Sequence, residues 1–132
     1  MKKALLLNSS VSAAISRMGH TDWITIADCG LPVRGSAERI DLALHKGVPG
    51  FLDVLSTVLS ELCVERAILA EEIKETSPEM LRAVLSELGE GVSVEYVPHE
   101  EFKRLTQDSV AVVRTGECTS YANVILQSGV TF

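Results

Sequence analysis

Phe51-Leu52-Asp53-Val54-Leu55-Ser56-Thr57-Val58-Leu59-Ser60-Glu61-Leu62 carries its apolar residues at 51, 54, 55, 58, 59 and 62. That i, i+3, i+4, i+7, i+8, i+11 spacing is one face of a helix, and it is the clearest periodicity in the chain. Gly47, Pro49 and Gly50 precede it and break whatever comes before. Three residues later, Arg66-Ala67-Ile68-Leu69-Ala70 is a short apolar run with the length of a buried strand. A helix followed by a buried strand is the unit of an α/β domain.

The same alternation continues outward in both directions. Downstream, Ser77-Pro78 opens a second helix, with Ser77 as cap and Pro78 at the first helical position. This helix carries Met80, Leu81, Val84, Leu85 and Leu88 and stops at Gly89 or Gly91. A strand over Val92–Val97 follows, then a short amphipathic helix over Glu100–Thr106 and strands over Val110–Arg114 and Asn123–Gln127. Upstream, Asn8–Met18 reads as a helix capped by Asn8 or Ser9 and stopped by Gly19, and Trp23–Ala27 reads as a strand. Ile40–Leu44 alternates strictly, as does Val92–Val97. Half-exposed strands of that kind imply an edge position or an antiparallel pairing. The expectation is one α/β domain spanning residues 1–132.

Composition narrows the function. The chain has 132 residues, with 12 Lys and Arg against 18 Asp and Glu, a net charge of −6. It contains no basic cluster, so neither a nucleic acid nor an anionic membrane surface is an expected partner. No apolar run approaches the roughly 20 residues of a membrane span. Ala4–Leu7 after Met1-Lys2-Lys3 is too short for a secretory leader, and Asn8-Ser9-Ser10 ends it. Cys29, Cys63 and Cys118 are an odd, dispersed set without CxxC spacing. That pattern suits a reducing, cytoplasmic compartment and argues against a zinc site. Cys63 beside the apolar helix reads as core, and Cys29 and Cys118 as small fillers.

The chain has no GxGxxG, phosphate loop, GxSxG or HExxH, and His20, His45 and His99 lack paired-ligand spacing. An enzyme on this chain is therefore expected to use acid–base chemistry without metal or cofactor. His20 lies between a helix end and the first strand. It suits either a C-terminal helix cap or a titrating imidazole at the rim of a sheet. Asp28 ends that strand, where ligands of open α/β sheets bind, but an Asx-turn onto Gly30 explains it equally well. His99 follows Pro98 at a helix start, and His45 reads as a solvated turn residue. Tyr121-Ala122-Asn123 closes a polar loop and presents hydroxyl and amide groups suited to a polyol. Glu71, Glu72 and Glu75 read as a solvated loop.

Taken in order, these blocks resemble the D-ribose pyranase family of sugar-ring isomerases. The resemblance spans Leu7-Asn8-Ser9, Met18-Gly19-His20-Thr21-Asp22, Ile26–Val33, Arg39–Leu44, His99-Glu100-Glu101-Phe102-Lys103, Arg114-Thr115-Gly116-Glu117 and Tyr121–Val130. It implies a three-layer α/β/α sandwich assembled as a ring of identical subunits, an octamer or decamer, with sites between neighbours. It implies D-ribose as ligand, His20 as proton donor, and Asp28, His99, Tyr121, Ala122 and Asn123 as sugar-binding positions. Lys103 is a further candidate facing the site. Asp28 would orient His20 or the sugar, or act as base. Cys29 stands where the family often has another small residue, and Ser120 where a proline is common. The related L-fucose mutarotases typically have Gly at the position of Thr21, Tyr-Gly-Asn at 121–123 and no match to the His99–Phe102 block, which favours ribose. A ribose-holding accessory protein without chemistry would keep Asp28, Tyr121 and Asn123 but have no need of His20. An apolar C-terminal Phe132 and a mean hydropathy of +0.22 suit burial in an interface or against the domain.

Overall fold

The computed structural model describes residues 1–132. In chain order it contains α1 (Ser9–Arg17), β1 (Trp23–Ala27), β2 (Glu38–Asp41), α2 (Phe51–Leu59), β3 (Val64–Ala70) and α3 (Ile73–Thr76). These are followed by α4 (Pro78–Leu88), β4 (Ser93–Val97), α5 (His99–Leu105), a 3-10 turn at Thr106–Asp108, β5 (Ala111–Arg114) and β6 (Val124–Ser128). Asn8 caps α1 by accepting the Val11 N–H at 2.9 Å. Pro78 begins α4 and Gly89 ends it at a φ of +75°, a conformation that costs glycine little. Ser77 does not cap α4 as its sequence suggests. Its hydroxyl donates instead to the Ser120 carbonyl at 2.8 Å, tying the start of α4 to the β5–β6 loop.

All six strands form one sheet in the order β2-β5-β1-β6-β3-β4. β1, β2 and β5 run parallel, as do β3 and β4, and β6 runs antiparallel to both β1 and β3. Five strands thus share one direction and the sixth is reversed between them. The alternating strands β2 and β4 do lie at the edges, but both pair parallel. The antiparallel strand is the central one, whose Val124, Ile125 and Leu126 are all fully buried. A strand covered on both faces is a continuous apolar run whichever way it points, so its direction leaves no mark on the sequence.

Side-chain alternation divides the core. Ile24, Ile26, Leu69, Val113, Val124 and Leu126 join one cluster, which α1, α2 and α4 cover with Val11, Phe51, Leu55, Val58 and Val84. Ala27, Ile68, Val112 and Ile125 point the other way, onto Phe102 of α5 and Leu31. Helices therefore cover both faces of the sheet, with 20 buried residues in the first cluster and 6 in the second. The segment Ile40–Leu44 is a strand only as far as Asp41, because its partner β5 stops at Arg114. Leu44 is exposed in the turn that follows. Cys63 is exposed rather than core, and Phe132 is fully exposed in the single chain.

Candidate functional site

The shared strand direction gives the sheet a carboxyl edge, where β1, β3, β4 and β5 finish and β6 starts, and an amino edge opposite. The sequence-predicted residues divide between the two. Asp28, His99, Tyr121, Ala122 and Asn123 gather at the carboxyl edge, and His20 lies at the amino edge before β1. The length of β1 puts roughly 15 Å between His20 and Asp28 of the same chain. Asp28 therefore does not orient its own chain's His20.

Asp28 and Asn123 form the centre of the carboxyl edge. Asn123 is fully buried; its Oδ1 accepts the Asp28 N–H and its Nδ2 donates to Asp28 Oδ2, both at 2.8 Å. Asp28 Oδ1 accepts the Gly30 N–H at 2.9 Å, so the Asx-turn and the site position coexist in one residue. Tyr121 adopts a φ of +61°, which is costly for a side chain of its size and aims the ring at His99. The two rings meet edge to face at 5.0 Å, and His99 stacks on Phe102. His99 Nδ1 is buried without a hydrogen-bond partner, the only such side-chain atom in the chain. Ala122 is fully buried in the larger core cluster and leaves its backbone, not its methyl group, for any polar contact. Lys103 pairs with Glu100 at 2.5 Å and lines a small polar cleft with Arg34, Arg104 and Gln107, one helical turn from His99.

Two carboxylates hold this edge together. Glu72, which reads from sequence as a solvated loop residue, accepts the His99 N–H with both oxygens at 3.0 and 3.1 Å. Glu117 accepts the Phe51 N–H at the start of α2 with one oxygen. Its other oxygen accepts from the N–H groups of Cys118 and Thr119 and from the Thr119 hydroxyl. Burial pushes the Glu117 carboxyl pKa up, but these donors outweigh it and hold the group below its ordinary value. Gly50 offers α2 no side-chain cap, and Glu117 supplies the missing acceptor from 66 residues away. Gly116 makes the approach possible, since a Cβ there would lie 2.4 Å from the Val48 carbonyl.

Cys29 and Cys118 also meet at this edge. Their Sγ atoms are 3.7 Å apart, a contact that their separation in sequence does not signal.

At the amino edge, His20 Nε2 lies 3.0 Å from Glu65 Oε2, and the imidazole does not cap α1. Glu65 Oε1 accepts from Gln127 Nε2 at 2.7 Å, and Gln127 Oε1 accepts the Trp23 indole N–H at 3.1 Å. The Gln127 and His20 hydrogen bonds hold the Glu65 carboxyl below its ordinary range. Glu65 is the extra residue where the β3–β6 register shifts between Val64 and Arg66. A bulge re-aims a side chain, and here it turns the carboxylate toward His20. The reading of the sequence missed Glu65, because a bulge inside a strand has no composition signature. Thr21, with a φ of +73°, closes the turn that carries His20, and its N–H donates to the Ser128 carbonyl at 2.9 Å. The cleft around His20 is lined by Ile15, Met18, Glu61, Leu62, Cys63 and Phe132, among others, and by none of the carboxyl-edge residues. No helix is long and apolar enough to cross a membrane.

This geometry is accompanied by likeness along the full length of the chain. A D-ribose pyranase of Coprothermobacter proteolyticus is 56% identical over 132 residues, covering all of both chains. A D-ribose pyranase of Actinobacillus succinogenes is 53% identical over 139 residues, again with complete coverage of both. RbsD of Bacillus subtilis, solved in complex with D-ribose, superposes with a TM-score of 0.95 at 47% identity and complete coverage of both chains. The model of the RbsD / FucU transport protein family matches residues 1–131, and the chain belongs to that family.

Proposed function

We propose that the chain is an enzyme that interconverts the pyranose and furanose forms of D-ribose. The observation that carries this is the 53–56% identity, over whole chains, to D-ribose pyranases. The sugar ring must open to the aldehyde and close through a different hydroxyl. Opening needs an acid at the ring oxygen and a base at the anomeric hydroxyl, and closing reverses the two roles. His20 is the acid. Glu65 holds the imidazole ring in orientation, and the Gln127 amide holds Glu65. Asp28, kept in place by Asn123, faces the sugar as base or hydroxyl acceptor. His99 and Tyr121 bind hydroxyls, with the backbone at Ala122 between them, and Lys103 adds positive charge at the rim. The reaction needs no redox step or phosphate, so we assign no cofactor. Three free thiols without CxxC spacing suit a cytoplasmic setting.

We further propose that one active site takes its His20 and Glu65 from one subunit and its Asp28, His99, Tyr121 and Asn123 from a second. The separation of these groups across the sheet supports this. So does the apolar surface beside His20, where Val130 and Phe132 are exposed. The layers of helix, sheet and helix would then pack as a closed ring of identical subunits, an octamer or decamer. Exchange NMR on equilibrated D-ribose, with and without micromolar protein in chelator, tests the activity. Accelerated pyranose–furanose exchange is expected; unchanged saturation transfer with retained binding would leave a ribose-binding accessory protein. Co-refolding His20→Ala with Asp28→Ala subunits tests the shared site. Randomly mixed rings should regain about a quarter of wild-type activity, since some interfaces then pair two intact halves. No recovery would make the site belong to one chain.

A further inference from the structure

The mechanism proposed above leaves two thiols of the carboxyl edge unused. Cys29 directly follows Asp28, and Cys118 lies in the β5–β6 loop between Glu117 and Tyr121. Their Sγ atoms are 3.7 Å apart. The backbones that carry them are joined as well, because the Cys29 N–H donates to the Glu117 carbonyl at 2.8 Å. The Cys118 N–H is held by the Glu117 carboxylate at 3.2 Å, and the Arg114 guanidinium donates to the Cys29 carbonyl at 3.0 Å. The two backbones are thus held against each other, and the sulfurs must close from 3.7 Å to a bond of about 2.05 Å. Cys118 is exposed and Cys29 half-buried, so Cys118 meets a reagent first. Cys63, the third thiol, sits at the opposite edge of the sheet beside Val130 and serves as an internal control.

We propose that Cys29 and Cys118 form a reversible disulfide with small-molecule disulfides of the glutathione class as oxidant, and that this bond clamps the loop bearing Tyr121 onto the strand end bearing Asp28. The Cys118 thiolate attacks one sulfur of the oxidant, forming a mixed disulfide and releasing one small thiolate, which takes up a proton. The Cys29 thiolate then attacks Cys118 Sγ and releases the second small thiol. Two electrons pass from the protein sulfurs to the oxidant. One protein disulfide and two small thiols replace two protein thiols and one small disulfide. The hydrogen-bond contact with Cys118, burial and the nearby Asp28 charge all hold the Cys29 thiol above its ordinary range in the reduced protein, so its thiolate fraction grows as pH rises. Drawing the sulfurs together shifts groups on either side of the sugar position. Displacements of about 1 Å at such a site cost up to roughly a hundredfold in rate. That last consequence rests on the ribose reading; the disulfide and the clamped loop do not.

The test treats wild-type protein with oxidised glutathione at millimolar concentration, then measures free thiols, disulfide-linked peptides and amide exchange. Cys29 and Cys118 should both lose their free thiols without retaining glutathione, whereas exposed Cys63, with no thiol beside it, keeps its own or carries an adduct. The linked peptides should contain Cys29 and Cys118, and the amides of 117–121 should exchange more slowly. Dithiothreitol should reverse all three changes. Cys118→Ser should keep the loop exchanging at the reduced rate in oxidant, and Cys63→Ser should behave as wild type. Adducts that stop at the mixed disulfide, or a mapped disulfide with unchanged loop exchange, would overturn the proposal. If the reduced protein fails to speed ribose exchange, the functional reading falls, while thiol count and amide protection still decide this one.

Discussion

At the carboxyl edge, Asp28, Asn123 and Glu117 are each held by at least two hydrogen bonds to backbone or to a buried partner, and Glu72 shares the His99 N–H between its two oxygens. At the amino edge, His20 and Glu65 meet as two side chains that remain 51% and 40% exposed. The first arrangement is fixed before any ligand arrives, because its centre, Asn123, is fully buried and a buried polar group that gives up its partner is penalised heavily. The second is set by a bulge and one amide, and it is free to adjust. On the roles proposed above, a rigid half would hold hydroxyls and an adjustable half would move a proton, which suits a reaction in which the sugar must open, turn and close. On the same proposal the contrast separates stability from turnover: the carboxyl edge would carry both, the amino edge mainly the second.

Four substitutions probe that contrast. His20→Ala is expected to slow ribose exchange about 10²–10⁴-fold with calorimetric affinity little changed, since a proton donor acts chiefly in the transition state. A matched loss of affinity would make the amino edge a binding half as well. Asn123→Ala removes both hydrogen bonds that the buried amide makes to Asp28. It should cost about 1–3 kcal/mol per orphaned group in denaturant unfolding, and weaken ribose binding as well.

Glu117→Gln is next in size. All four of its hydrogen-bond partners are donors, and an amide has only one acceptor oxygen for them, so about 1–3 kcal/mol of stability should be lost at neutral pH. The folded pKa of Glu117 lies below its unfolded value near 4.3. Its contribution is therefore complete above the unfolded pKa and disappears as pH falls through the folded one. Unfolding curves from pH 7 down to pH 3 should show a steeper acid limb for wild type than for Glu117→Gln. Parallel limbs would mean that another carboxylate carries the acid sensitivity.

The smallest effect is expected at Glu65→Ala: a loss of about tenfold in exchange rate from a loosened imidazole. The change in stability should stay within about 0.5 kcal/mol, as for most exposed positions. A large stability loss there would place the amino edge in the same rigid class as its opposite.

Much of this division is legible in chain order. Trp23–Ala27 is a strand by composition, so His20 before it and Asp28 after it must leave the sheet at opposite ends. The pairing of Asp28 with Asn123, the reach of Glu117 to α2 and the Cys29–Cys118 contact are not legible, because each joins residues at least 66 positions apart through the register of β1, β5 and β6. Ile40–Leu44 misleads for a related reason. Its alternation is real, but a strand needs a partner of equal length, and β5 ends opposite Asp41. Glu72 misleads because an acidic run looks solvated until the N-terminus of α5 is brought against it.

The central position of β6 has a consequence for how the chain comes to be folded. Strands β2, β5 and β1 form one block and β3 and β4 another, and no ladder joins the two blocks except through residues 124–128. As the chain is synthesised from its amino end, both blocks are complete before the piece that unites them exists. Until then each presents a long apolar strand edge, β1 on one side and β3 on the other, open to pairing with the wrong partner. The sixth strand is thus the keystone of vectorial folding. Its insertion is a non-local step that closes both exposed edges at once, and it sets the moment at which a newly made chain stops being a hazard to its neighbours.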